Sequence, residues 1–164
     1  MHSSYHNNSG TTCHLESESI TLTFGAEIAT ILRPGLIIFL NGNLGAGKTT
    51  LARGILRGLG HEGKVKSPTY NLVELYKISR LYFYHFDFYR FTDPIEWEEA
   101  GFREYFNESS ICLVEWPEKA EKLLPIADIR ISFTIIETGR KIEIQAGTEV
   151  GRQCLKDWQV KRNP

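Results

Sequence analysis

The spacing of apolar residues changes several times along the chain, and each change marks an element. Ile20, Phe24, Ile28 and Ile31 recur at spacings of four, four and three behind Ser17. One apolar stripe after a capping residue type predicts a helix over about residues 18–32, ended by Arg33-Pro34-Gly35. From Leu36 to Leu40 every residue is apolar, which suits a strand buried on both faces of a parallel sheet. A glycine-rich turn leads into a second helical stripe of Leu51, Ile55, Leu56 and Leu59, with Gly58 and Gly60 as its stop. The period then drops to two, predicting strands over Tyr70–Ile78 and Leu81–Tyr89, joined as a hairpin at Ser79-Arg80. Asp93–Glu108 reads as an acidic helical segment broken at Gly101, Ile111–Val114 as a buried strand, and Pro117 as the start of a short helix. Ile129–Ile136 and Lys141–Gln145 form a second hairpin about Thr138-Gly139-Arg140. Helices and strands alternate early while strands cluster later, so the predicted fold is α/β: a mixed sheet with parallel core strands and antiparallel hairpin additions, flanked by helices.

The first 14 residues are rich in Ser, His and Asn and offer little to bury, so a mobile tail is expected at 1–14 and one domain over 15–164. With 164 residues, 41 % apolar and 24 % charged, the composition is that of a soluble globular protein. Lys and Arg number 19 against 20 Asp and Glu, which lacks the basic excess of a protein that grips nucleic acid unaided. Cys13, Cys112 and Cys154 are dispersed and show no C-x-x-C pair. That usage predicts a reducing, cytoplasmic setting, and no apolar run approaches membrane-spanning length.

Chemistry concentrates at Gly42-Asn43-Leu44-Gly45-Ala46-Gly47-Lys48-Thr49, which fits G-x-x-x-x-G-K-[ST] at every fixed position. Glycines let consecutive backbone N–H groups turn toward a phosphate; Lys48 is suited to neutralise β- and γ-phosphates, and Thr49 to bind Mg²⁺. The helix starting there adds its positive end. The apolar strand before and the helix after complete the context of a P-loop NTPase-like domain. Such a loop needs a second acid at the end of a neighbouring strand, and two residues qualify. Glu115 closes the run Ile111-Cys112-Leu113-Val114. Asp87 lies within the aromatic strand Tyr84–Arg90, where an unpaired carboxylate costs several kcal/mol, so either metal-bound water or Arg90 must partner it. Trp116, next to Glu115, either borders the nucleotide or packs in the core. Ser67-Pro68-Thr69 occupies the loop where many P-loop proteins sense the γ-phosphate. His85 reads as a packed or solvated strand residue.

Four ordered motifs, G-N-L-G-A-G-K-T-T, K-S-P-T-Y-N-L-V-E, Y-H-F-D-F-Y-R and C-L-V-E-W-P, resemble those of the bacterial TsaE family, from about Ser17 to Gln145. The resemblance implies an ATPase component of tRNA threonylcarbamoyladenosine synthesis. It implies that Gly42, Asn43, Leu44, Gly45, Ala46, Gly47, Lys48, Thr49 and Thr50 bind the ATP phosphates, that Thr49 and Glu115 hold Mg²⁺, and that Asp87, Ser67 and Thr69 support hydrolysis. Trp116 matches the tryptophan beside the metal acid, and Glu18 and Arg140 align with nucleotide-contacting positions. It further implies partners, TsaD and TsaB, with tRNA reached only through that complex, and a monomer or weak self-association when alone. The threonylcarbamoyl transfer itself belongs to TsaD.

Other functions fit less well. Guanine recognition lacks its N-K-x-D signature, and a small-molecule kinase needs an arginine-bearing lid, whereas Arg130, Arg140 and Arg152 are scattered. A non-enzymatic module gated by nucleotide remains the alternative. Six acids over residues 93–108 face only Arg103, interleaved with Trp97, Phe102, Tyr105 and Phe106. This segment is expected either to pack its aromatics inward or to dock a protein partner. Lys48, Arg53, Arg57, Lys64 and Lys66 against Glu62 make residues 48–66 basic, the side expected to face ATP.

Overall fold

Residues 10–163 are described by a computed structural model. A seven-stranded sheet forms its centre, in the order β1-β7-β6-β2-β5-β4-β3. The strands are β1 (Gly10–Leu15), β2 (Ile37–Asn41), β3 (Val73–Ile78), β4 (Leu81–Asp87), β5 (Ser110–Glu115), β6 (Ile129–Ile135) and β7 (Arg140–Ala146). The middle four, β6, β2, β5 and β4, are parallel. Antiparallel pairing adds β3 at one side and β7 with β1 at the other. The mixed sheet with hairpin additions is therefore as the periodicity predicts.

Alternation along the central strands explains why two layers cover them. Ile38, Leu40, Phe83, Ile111 and Leu113 point into one core with α1 (Glu18–Ala29), α2 (Lys48–Gly58) and α4 (Glu149–Arg162). Phe39, Phe86, Cys112 and Val114 point into a second core with α3 (Pro94–Ala100) and the 3-10 turn Phe102–Tyr105. Burial on both faces leaves little place for polar side chains in these strands, so the buried His85, Asp87 and Glu115 require an account, given below.

One part of the sequence reading of the elements needs correction. The first 14 residues are not all outside the fold: Gly10–His14 belong to β1, registered residue by residue on β7 from Gly10 opposite Gln145 to Leu15 opposite Arg140. The rest of the expected tail, residues 1–9, lies outside the described residues. β1 is an edge strand held by backbone pairing, so its polar composition carries almost no apolar signal. Residues after Glu149 form α4, capped by the Thr148 hydroxyl and buried through Cys154, Leu155 and Trp158. The stop expected at Gly58 and Gly60 is observed: Gly58 is the last helical residue of α2, and the chain turns at Gly60 with φ of 108°.

Gly58 also belongs to a close crossing of α1 and α2. A Cβ on Gly58 would sit 2.7 Å from Cβ of Ala29, and one on Gly54 2.6 Å from the Leu22 carbonyl oxygen. These contacts set the separation of the helices and thereby the seat of the glycine-rich loop that opens α2. Glycine inside a helix is worth about 1 kcal/mol less than alanine, yet Gly54→Ala is expected to destabilise by about 1–3 kcal/mol through overpacking. Urea unfolding checks this, and a stabilised variant would show that the helices separate freely.

Candidate active site

The carboxyl ends of the parallel strands converge on one cleft. β2 runs directly into the loop Gly42–Gly47, and the sheet register sets Glu115 beside Leu40 on one side and Asp87 on the other. Open α/β sheets place their ligands at this end, where consecutive strands diverge. The cleft, of about 280 Å³, is lined by Leu44 to Thr50, Ser67, Thr69, Asp87, Glu115 and Trp116. Residues from four separate sequence motifs thus line one cleft.

The loop backbone can take its shape only with glycine at key places. Gly42 has φ of 152° and Gly47 φ of 107°, and a Cβ on Gly42 would also meet Phe133 at 3.0 Å. Left-handed Gly47 caps α2 without any side-chain bond, whereas α1, α3 and α4 are capped by Ser17, Asp93 and Thr148. The first-turn N–H groups of α2 are thus left for a ligand, and the helix dipole favours an anion there. Arg140 holds the loop from behind, donating from Nε to the Ala46 carbonyl and from a terminal nitrogen to that of Gly45, each at 3.1 Å.

Lys48 is 4 % exposed. Its amine donates to the Gly42 carbonyl and lies 3.7 Å from the centroid of the Trp116 ring. Burial pulls its pKa down, opposed by the nearby carboxylates of Glu115, Glu118 and Asp87. Trp116 is half-buried with φ of 56°, and its ring meets Tyr89 at 4.9 Å. It borders the cleft and also packs against the second core.

Thr49 donates its hydroxyl to Glu115, 3.2 Å from each carboxylate oxygen. Asp87 accepts the Tyr89 N–H at 2.9 Å, and burial raises its pKa against the effect of that bond. Arg90 is not its partner: the guanidinium stacks on the Tyr70 ring at 4.9 Å. Thr49, Glu115 and Asp87 present a hydroxyl and two carboxylates, the hard oxygen donors that suit Mg²⁺ when phosphate and water complete the shell. Ser67 and Thr69 hydroxyls lie 2.6 Å apart on the far rim.

Glu18 and Arg140 do not line this cleft. Both line an adjoining hollow of about 390 Å³, with Ser17, Thr21, Gly45, Gly47, Thr50 and Gly139, and Glu18 pairs with Arg53 at 3.6 Å. His85 is the residue that sequence reasoning missed. It is fully buried, and its Nε2 lies 2.6 Å from Oε2 of Glu115. Period-two spacing already puts His85 and Asp87 on one face of β4, but nothing local ties that face to Glu115. In the acidic segment, Trp97 and Phe102 are buried and all six acids are exposed. The inward-packing account of residues 93–108 therefore holds for Trp97 and Phe102, while Tyr105 and Phe106 are half-buried against the same core.

A glycine-rich loop between a central parallel strand and an uncapped helix, faced by acids from the next two strands, defines a P-loop NTPase-like α/β protein. The family model of the threonylcarbamoyl adenosine biosynthesis protein TsaE matches residues 15–142, and the chain belongs to that family. The tRNA threonylcarbamoyladenosine biosynthesis protein TsaE of Haemophilus influenzae is 48 % identical over 149 residues, which cover 88 % of this chain and 94 % of that one. Its namesake from Bacillus subtilis is 42 % identical over 103 residues, 63 % and 64 % of the two chains. The crystal structure of Bacillus subtilis YdiB matches with a TM-score of 0.81 at 27 % identity, over 94 % of this chain and 97 % of that one.

Proposed function

We propose that this protein is an ATPase that binds ATP with Mg²⁺ and supports threonylcarbamoylation of adenosine next to the anticodon of tRNA. It acts with TsaD and TsaB in the cytoplasm and meets tRNA only through them. The observation that carries the chemistry is the convergence of Lys48, Thr49, Asp87 and Glu115 on the open first turn of α2. The place in tRNA modification rests on family membership.

In this reading the N–H groups of the loop and of the first turn receive the phosphates. The Lys48 amine leaves the Gly42 carbonyl and the Trp116 ring for the β- and γ-phosphate oxygens. Thr49 turns its oxygen, and Glu115 a carboxylate oxygen, toward the metal. Held by these two residues, Mg²⁺ would supply charge neutralisation to the phosphates. Asp87, with one oxygen held by the Tyr89 N–H and its pKa raised by burial, is placed to orient water and accept a proton. Glu18 and Arg140 flank the sugar and base.

Trp116 tests the reading without any activity assay. With Trp97 and Trp158 replaced by Phe, ATP binding is expected to change Trp116 emission, because the Lys48 amine departs from its ring. A titration that leaves the emission flat while calorimetry registers binding would place the nucleotide elsewhere.

A further inference from the structure

Among the buried polar side chains, His85 touches the candidate site and has been given no role in it. His85 is fully buried in β4, it lies on the same face as Asp87, and its imidazole reaches Glu115 on β5. In register it stands opposite Leu113, so the bond runs diagonally to the residue two further along β5. Its other nitrogen, Nδ1, has no hydrogen-bond partner. A buried N–H left unpaired is costly, so the ring proton belongs on Nε2, where the carboxylate accepts it. This assignment needs no charge on the ring.

We propose that His85 is a positioning residue for the metal acid: its Nε2–H holds Oε2 of Glu115, fixing the carboxylate so that Oε1 is left for the ion. The inference rests on the Mg²⁺–ATP reading of the site. Three observations support it. Glu115 is a buried carboxylate whose side-chain donors, among the described residues, are Thr49 and His85. Thr49 is shared evenly between both oxygens at 3.2 Å, so it does not select one of them. His85, at 2.6 Å from Oε2 alone, does. Thr49 must also give up its bond when its oxygen turns to the ion, after which His85 is the donor that still orients the carboxylate. Partners that orient a metal ligand from outside the coordination shell typically govern 10- to 100-fold in affinity or activity.

The experiment compares His85→Gln with His85→Asn in the full chain. The Gln amide nitrogen reaches roughly where Nε2 lies, and the Asn amide stops near Nδ1, so the two are matched in polarity and differ in reach. Mn²⁺ binding to the protein with ADP, followed by electron paramagnetic resonance, is expected to weaken about tenfold in His85→Asn and to stay near wild type in His85→Gln. ADP affinity in EDTA should be equal in all three. In a Glu115→Ala background, His85→Asn should cause no further loss. The proposal is overturned if His85→Asn binds Mn²⁺ as wild type does. It is overturned equally if Gln and Asn weaken Mn²⁺ binding alike in step with a lowered melting temperature, since His85 would then only pack the strands. Wild-type protein that binds ADP but no Mn²⁺ would instead remove the metal site, and the positioning role with it.

Discussion

Lys48→Ala is expected to weaken ATP binding by roughly 10- to 100-fold while the protein remains folded. Among the described residues the amine is the one cation lining the cleft, and charge-assisted hydrogen bonds contribute about 1.5–3 kcal/mol each, with 1.4 kcal/mol equal to tenfold in affinity. Backbone donors from the loop and the first turn of α2 remain, so binding should fall and not vanish. The present position of the amine, on the Gly42 carbonyl and over Trp116, also means that binding must displace these contacts. They offset part of the gain, which argues for the lower half of the range. Lys48→Arg should not restore affinity, because a planar fork cannot replace a compact ammonium in so closed a space. Calorimetry measures both variants. Unchanged affinity in Lys48→Ala would remove the glycine-rich loop from the nucleotide site.

Most of the site was legible because its residues are dictated locally. The loop needs glycine for its backbone and lysine with threonine at the helix start, so Gly42–Thr49 announces itself in eight residues. Glu115 follows from an apolar run ending in an acid. By contrast, the partner of Asp87 is a backbone N–H two residues away, and backbone groups carry no letter in a sequence. Arg90, the obvious cation, goes to the Tyr70 ring instead. His85 joins Glu115 only because β4 and β5 are adjacent and parallel, a tertiary fact.

The same division holds for the fold. α4 was missed although Gly151, Cys154, Leu155 and Trp158 stand at helical spacing, because two of the four are small and do not register as apolar anchors. Gly151 in particular lies so close to the Asp128 carbonyl that no side chain fits there. β1 owes its strand to β7 rather than to its own composition.

The second large effect concerns Glu115. Replacement by Ala would leave the buried His85 N–H unpaired and cost about 1–3 kcal/mol of stability, mixing folding with chemistry. Glu115→Gln keeps an acceptor for His85 and loses the charge, so it separates the two. Nucleotide affinity should change by only a few fold, because the phosphates are held by the loop, Lys48 and α2. Hydrolysis should fall roughly 10²-fold, because the ion that would neutralise the phosphates loses a charged ligand. If it does not, Asp87 carries the metal and Glu115 is a structural acid.

Single-turnover hydrolysis decides the matter. Protein in excess over radiolabelled ATP, with Mg²⁺, TsaD, TsaB and tRNA present, is quenched over time and the released phosphate counted. The account predicts phosphate release by wild-type protein, with Glu115→Gln binding ATP yet releasing phosphate about 10²-fold more slowly. Tight ATP binding by the wild type with no phosphate released in the complete mixture would contradict it, and would make this chain a nucleotide-gated module in place of an ATPase.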